Sequence, residues 1–471
     1  MSTNQSFSAQ VRFRLMASIM IAAALPCACG AGESTKSPPL APHQVITVGP
    51  ADADVVGTTG RAVQIAIDAL AHRGGGEVRV KPGEYLLAGP IRLRPGIRLI
   101  GEPGKTILRR GPLVWSALKV DADKAEREIT PENTNGFRPG MAVTTWDRRN
   151  GWLRCSRPYT VTDIRDGVLC LDDYLEADRI AEDGGRVIHY FPLILVEESD
   201  HVVVDGFVAD AAVKDPDTVL DGLRAGVVYL WRSRHVTVRN VKAVNGRGDG
   251  IIVSNASEHA VIEDCEAAHN THFGIHPGSH SKYATVRRCD IHHNGYDGLY
   301  ICWGIRNSEF TDNTIHHNGL TALRSGICIG HKDTDNLIAR NHIYENKKAG
   351  IYFRRKTVAN GAHRNRIVEN VIENNGARPG EFEWLAGKIE PSEFIGVGIG
   401  VFGHTYDLLI EDNTIRETRE GDDRLQKHAV YLHPGARRVK MVGNTTKGHP
   451  GPPVLDESGA DDHQLQTLRL E

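Results

Sequence analysis

A glycine returns every 24 residues through the middle of this chain, and it brings the same short segment with it. Gly226, Gly250, Gly274, Gly298, Gly326 and Gly350 each open a run of the type Gly-Ile-x-x-x or its Val or Leu equivalent. Their spacings are 24, 24, 24, 28 and 24 residues, and Gly398 and Ala429 open two further copies after longer gaps. The rest of each period repeats too. Val238, Ile262, Val286, Phe310, Ile338, Ile367, Ile410 and Met441 form an apolar column. Three residues later come Val241, Cys265, Cys289, Asn313, Asn341, Asn370, Asn413 and Asn444, and a second polar column is Asn270, Asn294, Asn318, Asn346 and Asn375. A fixed period in this range specifies a solenoid, in which each unit buries its apolar face only by stacking on its neighbours.

The segments between the glycines are short, β-branched and separated by Asn and Gly turns. That gives about three strands per period, and no stretch carries the 3.6-residue periodicity of a helical repeat. The expectation is an all-β solenoid of three parallel sheets. Stacked asparagine amides would satisfy buried backbone groups at its turns. These columns resemble the right-handed parallel β-helix superfamily of pectate lyases, polygalacturonases and alginate epimerases. The resemblance implies a right-handed coil and a substrate groove on the sheet of Gly-Ile strands.

The chain has 471 residues, and 56 basic residues face 59 acidic ones, a net of -3. A solenoid of this length is one body, spanning 46–448, and no basic excess marks a nucleic-acid partner. Residues 1–30 read as a signal peptide: Arg12 and Arg14, an apolar run from Leu15 to Leu25, then small residues. The run is too short to span a bilayer. Cys27 or Cys29 is a candidate for lipidation, and the protein is expected to be secreted or periplasmic. Residues 31–45 form a Ser/Pro-rich leader. Thr58 and Thr59 precede an amphipathic helix, Arg61–His72, which caps the open end of the stack. Two insertions interrupt the period, a small β insertion at 127–195 and a loop at 377–394, and 449–471 is a polar tail. Cys265 and Cys289 stack one coil apart, either as a disulfide or, more simply, as two buried thiols in the asparagine column.

Strand side chains alternate, so the third and fifth residues of each Gly-Ile run face out. On the coils from 250 to 355 these positions and their flanks carry His276, Tyr300, Tyr352, Arg354, Arg355, Asp249, Asp297, Arg324, His280, Trp303 and His331. His272, Tyr296 and Lys348 stand beside them. A merely solvated face would scatter Ser, Thr, Lys and Glu evenly. Phe273-Gly274-Ile275-His276-Pro277 is similar to the mannuronan C5-epimerase motif Tyr-Gly-Phe-Asp-Pro-His, and Asn294-Gly295-Tyr296-Asp297-Gly298 to its next-coil counterpart. The resemblance implies active-site roles for Asp297 and Arg324. It departs at Phe273, His276 and Gly278, where the family has tyrosine, aspartate and histidine.

The expected substrate is a uronate-containing polysaccharide, attacked at its C5 proton by a lyase or an epimerase. Such chemistry needs a cation for the carboxylate, from Arg324, Arg354 or Arg355, and proton-transfer groups, from Tyr300, His276 or His331. Tyr352, Trp303, Asp249 and His280 would line the groove. Two other readings stand beside this one. Asp249 and Asp297 lie two coils apart, ~9–10 Å, within reach of an inverting hydrolase. A non-catalytic carbohydrate-binding solenoid is the third. No cysteine or histidine spacing marks a zinc site. Asp333 and Asp335 are the candidate Ca2+ ligands.

Overall fold

The computed structural model describes residues 44–149, 155–212, 225–389, 391–466 and 468–470. The expected signal peptide, its cysteines and nearly all of the leader lie outside the described residues. Among the described residues no helix is long and apolar enough to cross a membrane.

Three parallel sheets of 14, 12 and 11 strands, here sheets I, II and III, run the length of the solenoid. A coil passes from sheet III to sheet I to sheet II, as in Ile251–Ser254, Val261–Glu263 and Glu266–Ala268. Pairing is in register from coil to coil: Ile251, Ile275, Leu299, Ile327 and Ile351 stand in one column of sheet III. All are fully buried, as are Val238, Val286, Phe310, Ile338 and Ile367 of sheet I. The interior is therefore apolar columns, each methyl group packed on its equivalent one coil away.

Single residues in the left-handed region turn the chain between sheets. Asp264, Arg288, Asp312 and Arg340 (φ 52 to 59°) join sheet I to sheet II, and His269, His293 and His317 (φ 52 to 57°) join sheet II to sheet III. The asparagine columns lie beside these turns. Asn313 Nδ2 donates to Asn341 Oδ1 at 2.9 Å, and the same bond links Asn341 to Asn370, Asn370 to Asn413 and Asn413 to Asn444. The second column runs from Asn270 to Asn375 and ends on Gln426. A third, not expected, closes the turn from sheet III to sheet I. Backbone N–H groups there donate to the hydroxyls of Ser233, Ser257 and Ser281, and three residues further along a separate column runs from Ala284 through Ser308 and Asn336 to Asn365. Cys265 and Cys289 are free thiols, donating to the carbonyls of Val238 and Ile262 that asparagine would otherwise reach.

The glycine column follows from this packing. A Cβ on Gly274 would lie 2.4 Å from Ile291 Cγ2 and 2.7 Å from the Gly298 carbonyl oxygen; on Gly298 it would meet the Asn318 amide at 2.7 Å. The chain enters sheet III where the amide column and the next coil's backbone leave no room for a side chain.

The helix Gly60–Ala71 buries Ala62, Val63, Ala66, Ile67 and Leu70 over the first coils. Thr59 precedes it in extended conformation, but its hydroxyl makes no capping bond. The first insertion begins earlier than the loss of period indicates. Trp115–Ala117 already belongs to a six-stranded antiparallel sheet that ends at Arg186–Ile188 and encloses its own core around Val143, Val161, Leu169 and Val187. The polar tail is part of the solenoid. Val454–Asp456, Gln464–Leu465 and Arg469–Leu470 add one strand to each sheet, and Leu468 is buried beneath them. Three strands at the spacing of one coil outweigh the polar composition.

His189, directly after the insertion's last strand, closes the insertion through a 2.7 Å bond from Nδ1 to the Ala142 carbonyl. Burial holds its imidazole down to about 4, against ~6.5 unfolded. The neutral form is the folded form, so its stabilisation is complete above pH ~6.5 and falls away as pH drops toward 4, by up to ~3 kcal/mol. Urea midpoints at pH 7 and pH 4.5 should differ less in His189→Gln than in the parent; an equal difference would exclude His189 as a source of the acid sensitivity.

Candidate functional site

Sheet III carries a paved floor between two polar rims. On the floor, Phe273 and Tyr300 stack face to face (centroids 3.9 Å apart, planes at 3°), and Tyr352, Phe402 and Tyr431 continue the paving. His276 abuts Tyr300 edge-on at 5.0 Å. These two expected proton-transfer groups are thus neighbours, but they lie within the floor. Tyr300 is 7 % exposed and His276 3 %, and burial pushes the Tyr300 phenol well above its ordinary range. His276 Nδ1 donates to Asp249 Oδ2 at 2.7 Å.

Arg354 departs from expectation in the same way. Its guanidinium lies over the Tyr300 ring at 4.5 Å. Nη2 donates to the carbonyls of Ile301 (2.7 Å) and Gly330 (2.6 Å) and approaches Asp333 Oδ2 at 3.4 Å. The residue expected at a substrate carboxylate is committed to backbone carbonyls, while the N–H groups of His331 and Lys332 that follow Gly330 donate to the Asn360 carbonyl. Asp333 is equally committed: it accepts from the N–H groups of Gly304, Ile305 and Gly330, and burial pushes its carboxyl up to about 7. Asp335 forms a two-pronged pair with Arg364 at 2.7 and 2.8 Å. The two carboxylates expected to share Ca2+ therefore serve separate structural bonds, and among the described residues no three His, Cys, Asp or Glu side chains converge on one point.

The far rim, where the strands end, holds His280, Trp303, His331 and Arg355. Trp303 is 38 % exposed and meets His331 edge-on at 5.4 Å. Burial draws the His331 imidazole below its ordinary range, with help from Lys356 and Arg354. Arg355 Nη2 reaches His433 Nε2 at 3.0 Å.

The near rim, where the strands begin, is the more organised. His272, Tyr296, Arg324 and Lys348 occupy one position on four successive coils. The His272 and Tyr296 rings are 4.7 Å apart, the Arg324 guanidinium lies 5.0 Å over Tyr296, and the Lys348 N–H donates to the Arg324 carbonyl. Lys348 Nζ sits 3.6 Å over the Tyr352 ring. Behind this rim lie the two buried aspartates. Asp249 Oδ1 is 3.7 Å from His272 Nδ1 and its other oxygen holds His276. Asp297 accepts the Ser325 N–H through Oδ1 at 2.7 Å; its Oδ2 makes no hydrogen bond and lies 4.0 Å from Arg324 Nη1. Burial raises the Asp297 carboxyl, against the pull of Arg324. Of the expected site residues, then, Asp297, Arg324 and Asp249 come together, while Tyr300, His276, Arg354 and Tyr352 form the floor. His272, Tyr296 and Lys348 complete the rim; the signal for them is their place two residues before each glycine, the same as that of Arg324. The second insertion reaches this rim through the 2.5 Å ion pair of Lys347 with Glu381.

The fold places the chain among right-handed parallel β-helices, and the family model of the right-handed β-helix region matches residues 225–404. Among curated proteins none matches the chain. In structure it is similar to the A-modules of the Azotobacter vinelandii mannuronan C-5 epimerases AlgE4 and AlgE6. The TM-score is 0.54 and the identity 15 % for both; 87 and 88 % of this chain and 92 and 95 % of those modules are covered. The Dettilon tailspike protein is similar as well (TM-score 0.52, 12 % identity, 90 % of this chain and 68 % of that one). At these identities the likeness is one of fold.

Proposed function

We propose that the protein acts on an acidic, uronate-containing polysaccharide laid along sheet III, and that it abstracts the proton at C5 as a lyase or an epimerase. The observation that carries this reading is the near rim: two cations, Arg324 and Lys348, in line with His272 and Tyr296, with Asp297 behind them. Successive coils rise ~4.8 Å, so the four positions span roughly 14 Å, a few sugar units. Arg324 and Lys348 take the uronate carboxylate and stabilise the enolate charge that develops as H5 leaves. Asp297 is a positioning residue for Arg324. Tyr296, half-buried at the rim, and His272, as buried as Tyr300 but aligned with the two cations and backed by Asp249, are the proton-transfer groups. Departure of the 4-linked oxygen with a proton then gives an unsaturated uronate; return of a proton to the opposite face of C5 gives the epimer. The likeness to mannuronan epimerase modules supports this reading at the level of fold. The same reading keeps export, through the N-terminal segment, as part of the proposal.

The test is a panel of acidic and neutral polysaccharides, followed by absorbance at the unsaturated-uronate band and by deuterium uptake at C5 from heavy water. Absorbance marks a lyase and uptake without cleavage an epimerase. New reducing ends without either would overturn C5 abstraction in favour of hydrolysis through Asp249 and Asp297. Retention of a polymer with no turnover would leave a binding solenoid.

A further inference from the structure

On sheet II, away from the groove, the chain repeats Ile-His-His-Asn at 291–294 and 315–318. The first histidine of each pair ends a strand and the second occupies the left-handed turn (φ 53° at His293, 52° at His317). This geometry folds the two rings of a pair toward each other. Equivalent rings then stack from coil to coil: His292 on His316 and His293 on His317, each at 4.9 Å.

The His316–His317 pair poses a proton-counting problem. His316 Nε2 lies 3.2 Å from Asp290 Oδ1, and His317 Nε2 lies 2.6 Å from Glu345 Oε2. A carboxylate only accepts, so each ring holds a proton at Nε2 and, when neutral, has its lone pair at Nδ1. The two Nδ1 atoms face each other at 2.8 Å. Two lone pairs at that distance repel unless a shared proton or a metal ion joins them. The His292–His293 pair has a similar Nδ1–Nδ1 distance, 2.9 Å. His292 Nε2, however, is 3.7 Å from Glu266 and 3.9 Å from Asp290, too far to fix its tautomer, so one ring can donate to the other.

We propose that His316 and His317 form a two-nitrogen chelate for a divalent transition metal of the copper or nickel kind, with Asp290 and Glu345 as the carboxylates that orient the rings. Such outer carboxylates fix the tautomer and raise ligand basicity. Metal–imidazole bonds are ~2.0–2.1 Å, so nitrogens 2.8 Å apart subtend roughly 90° at the ion. That is the bite of square-planar and octahedral ions rather than of tetrahedral zinc. One ion cannot serve both pairs: midway between rings 4.9 Å apart it would stand roughly 2.8 Å from each nitrogen, beyond any metal–imidazole bond. Solvent completes the shell, since the His317 side chain is 39 % exposed.

The probe is Cu2+ added to the chelator-treated full chain, read by calorimetry and by electron paramagnetic resonance. We expect one ion bound with a two-nitrogen signature, at least tenfold weaker in His317→Gln, several-fold weaker in Glu345→Gln, and changed less than about threefold in His293→Gln. Far-ultraviolet dichroism reports whether each variant keeps the solenoid. Absence of Cu2+ binding, or equal affinities in His317→Gln and the parent, overturns the proposal, as does weakening that follows His293 instead.

Discussion

Arg324→Ala should lower kcat/KM on a uronate polymer by about 10²–10³-fold, the loss typical of removing one donor aimed at developing negative charge. The rim geometry explains the size. Arg324 lies 4.0 Å from Asp297, and its guanidinium is held over the Tyr296 ring, so its direction is fixed before substrate arrives. A pre-oriented cation acts on the transition state without reorganisation at the moment of reaction. Arg324→Lys keeps charge but loses the planar fork, and should recover only part of the rate. Residual activity on a neutral glycan, if the parent has any, should be unchanged in both variants. Stability should change little, because without the guanidinium Asp297 can take up a proton instead of remaining a buried, unpaired anion. The measurement is steady-state kinetics on the polymer identified by the panel, with urea midpoints alongside; a kcat/KM within threefold of the parent would remove Arg324 from the site.

Asn341→Leu should cost roughly 3–4 kcal/mol. Asn341 Oδ1 accepts both the backbone N–H (3.0 Å) and the side-chain amide (2.9 Å) of Asn313; its Nδ2 donates to the Phe310 carbonyl and to Asn370 Oδ1, both at 2.9 Å. Leucine fills the volume and makes none of these bonds. The Asn313 N–H and the Phe310 carbonyl are left buried with no water to reach them, each an uncompensated desolvation of about 1–3 kcal/mol. The column itself indicates what is tolerated there: Cys265 and Cys289 keep a donor to the carbonyl and lose the acceptor. A fall in the urea midpoint equivalent to less than 1 kcal/mol would mean that the ladder follows the fold rather than supporting it.

Much of the body was legible because its constraints repeat. A glycine forced by the next coil's carbonyl and an amide bonded to its own copy leave a mark in every period. The serine column at Ser199, Ser233, Ser257 and Ser281 was harder to read, since it gives way partway along to Ile305, whose N–H donates to the Asp333 carboxylate. The floor was misjudged for a different reason. Alternation tells which side of the sheet a residue leaves, so it puts Tyr300, His276 and Arg354 on the outer face of sheet III, where they are. It says nothing of what neighbouring coils lay over them, and on this face aromatic rings one coil apart cover each other. Arg354 bends back to backbone carbonyls that no residue pattern advertises. The near rim was partly visible, as Asp297 and Arg324, because those two match a motif. His272, Tyr296 and Lys348 differ in chemistry from coil to coil and share only a position. The C-terminal strands were hidden by polar composition, which their in-register pairing on the preceding coil outweighs.

The amide columns also set how the chain can change its length. Each asparagine is satisfied by the coil before it and the coil after it, so the body accepts whole turns and rejects fractions. Surplus residues must leave the cylinder. Between Asn294 and Gly298 the chain uses four steps; between Asn318 and Gly326 it uses eight, yet the bond from Asn318 to Asn346 is unbroken. The four additional residues escape as a loop around Leu320, 46 % exposed, that leads directly into Arg324. Five additional residues leave at the opposite edge too, between Phe353 and Arg366, so rigidity in the scaffold exports variation to the edges of sheet III, and there an insertion alters what the surface can grasp without altering what holds it together.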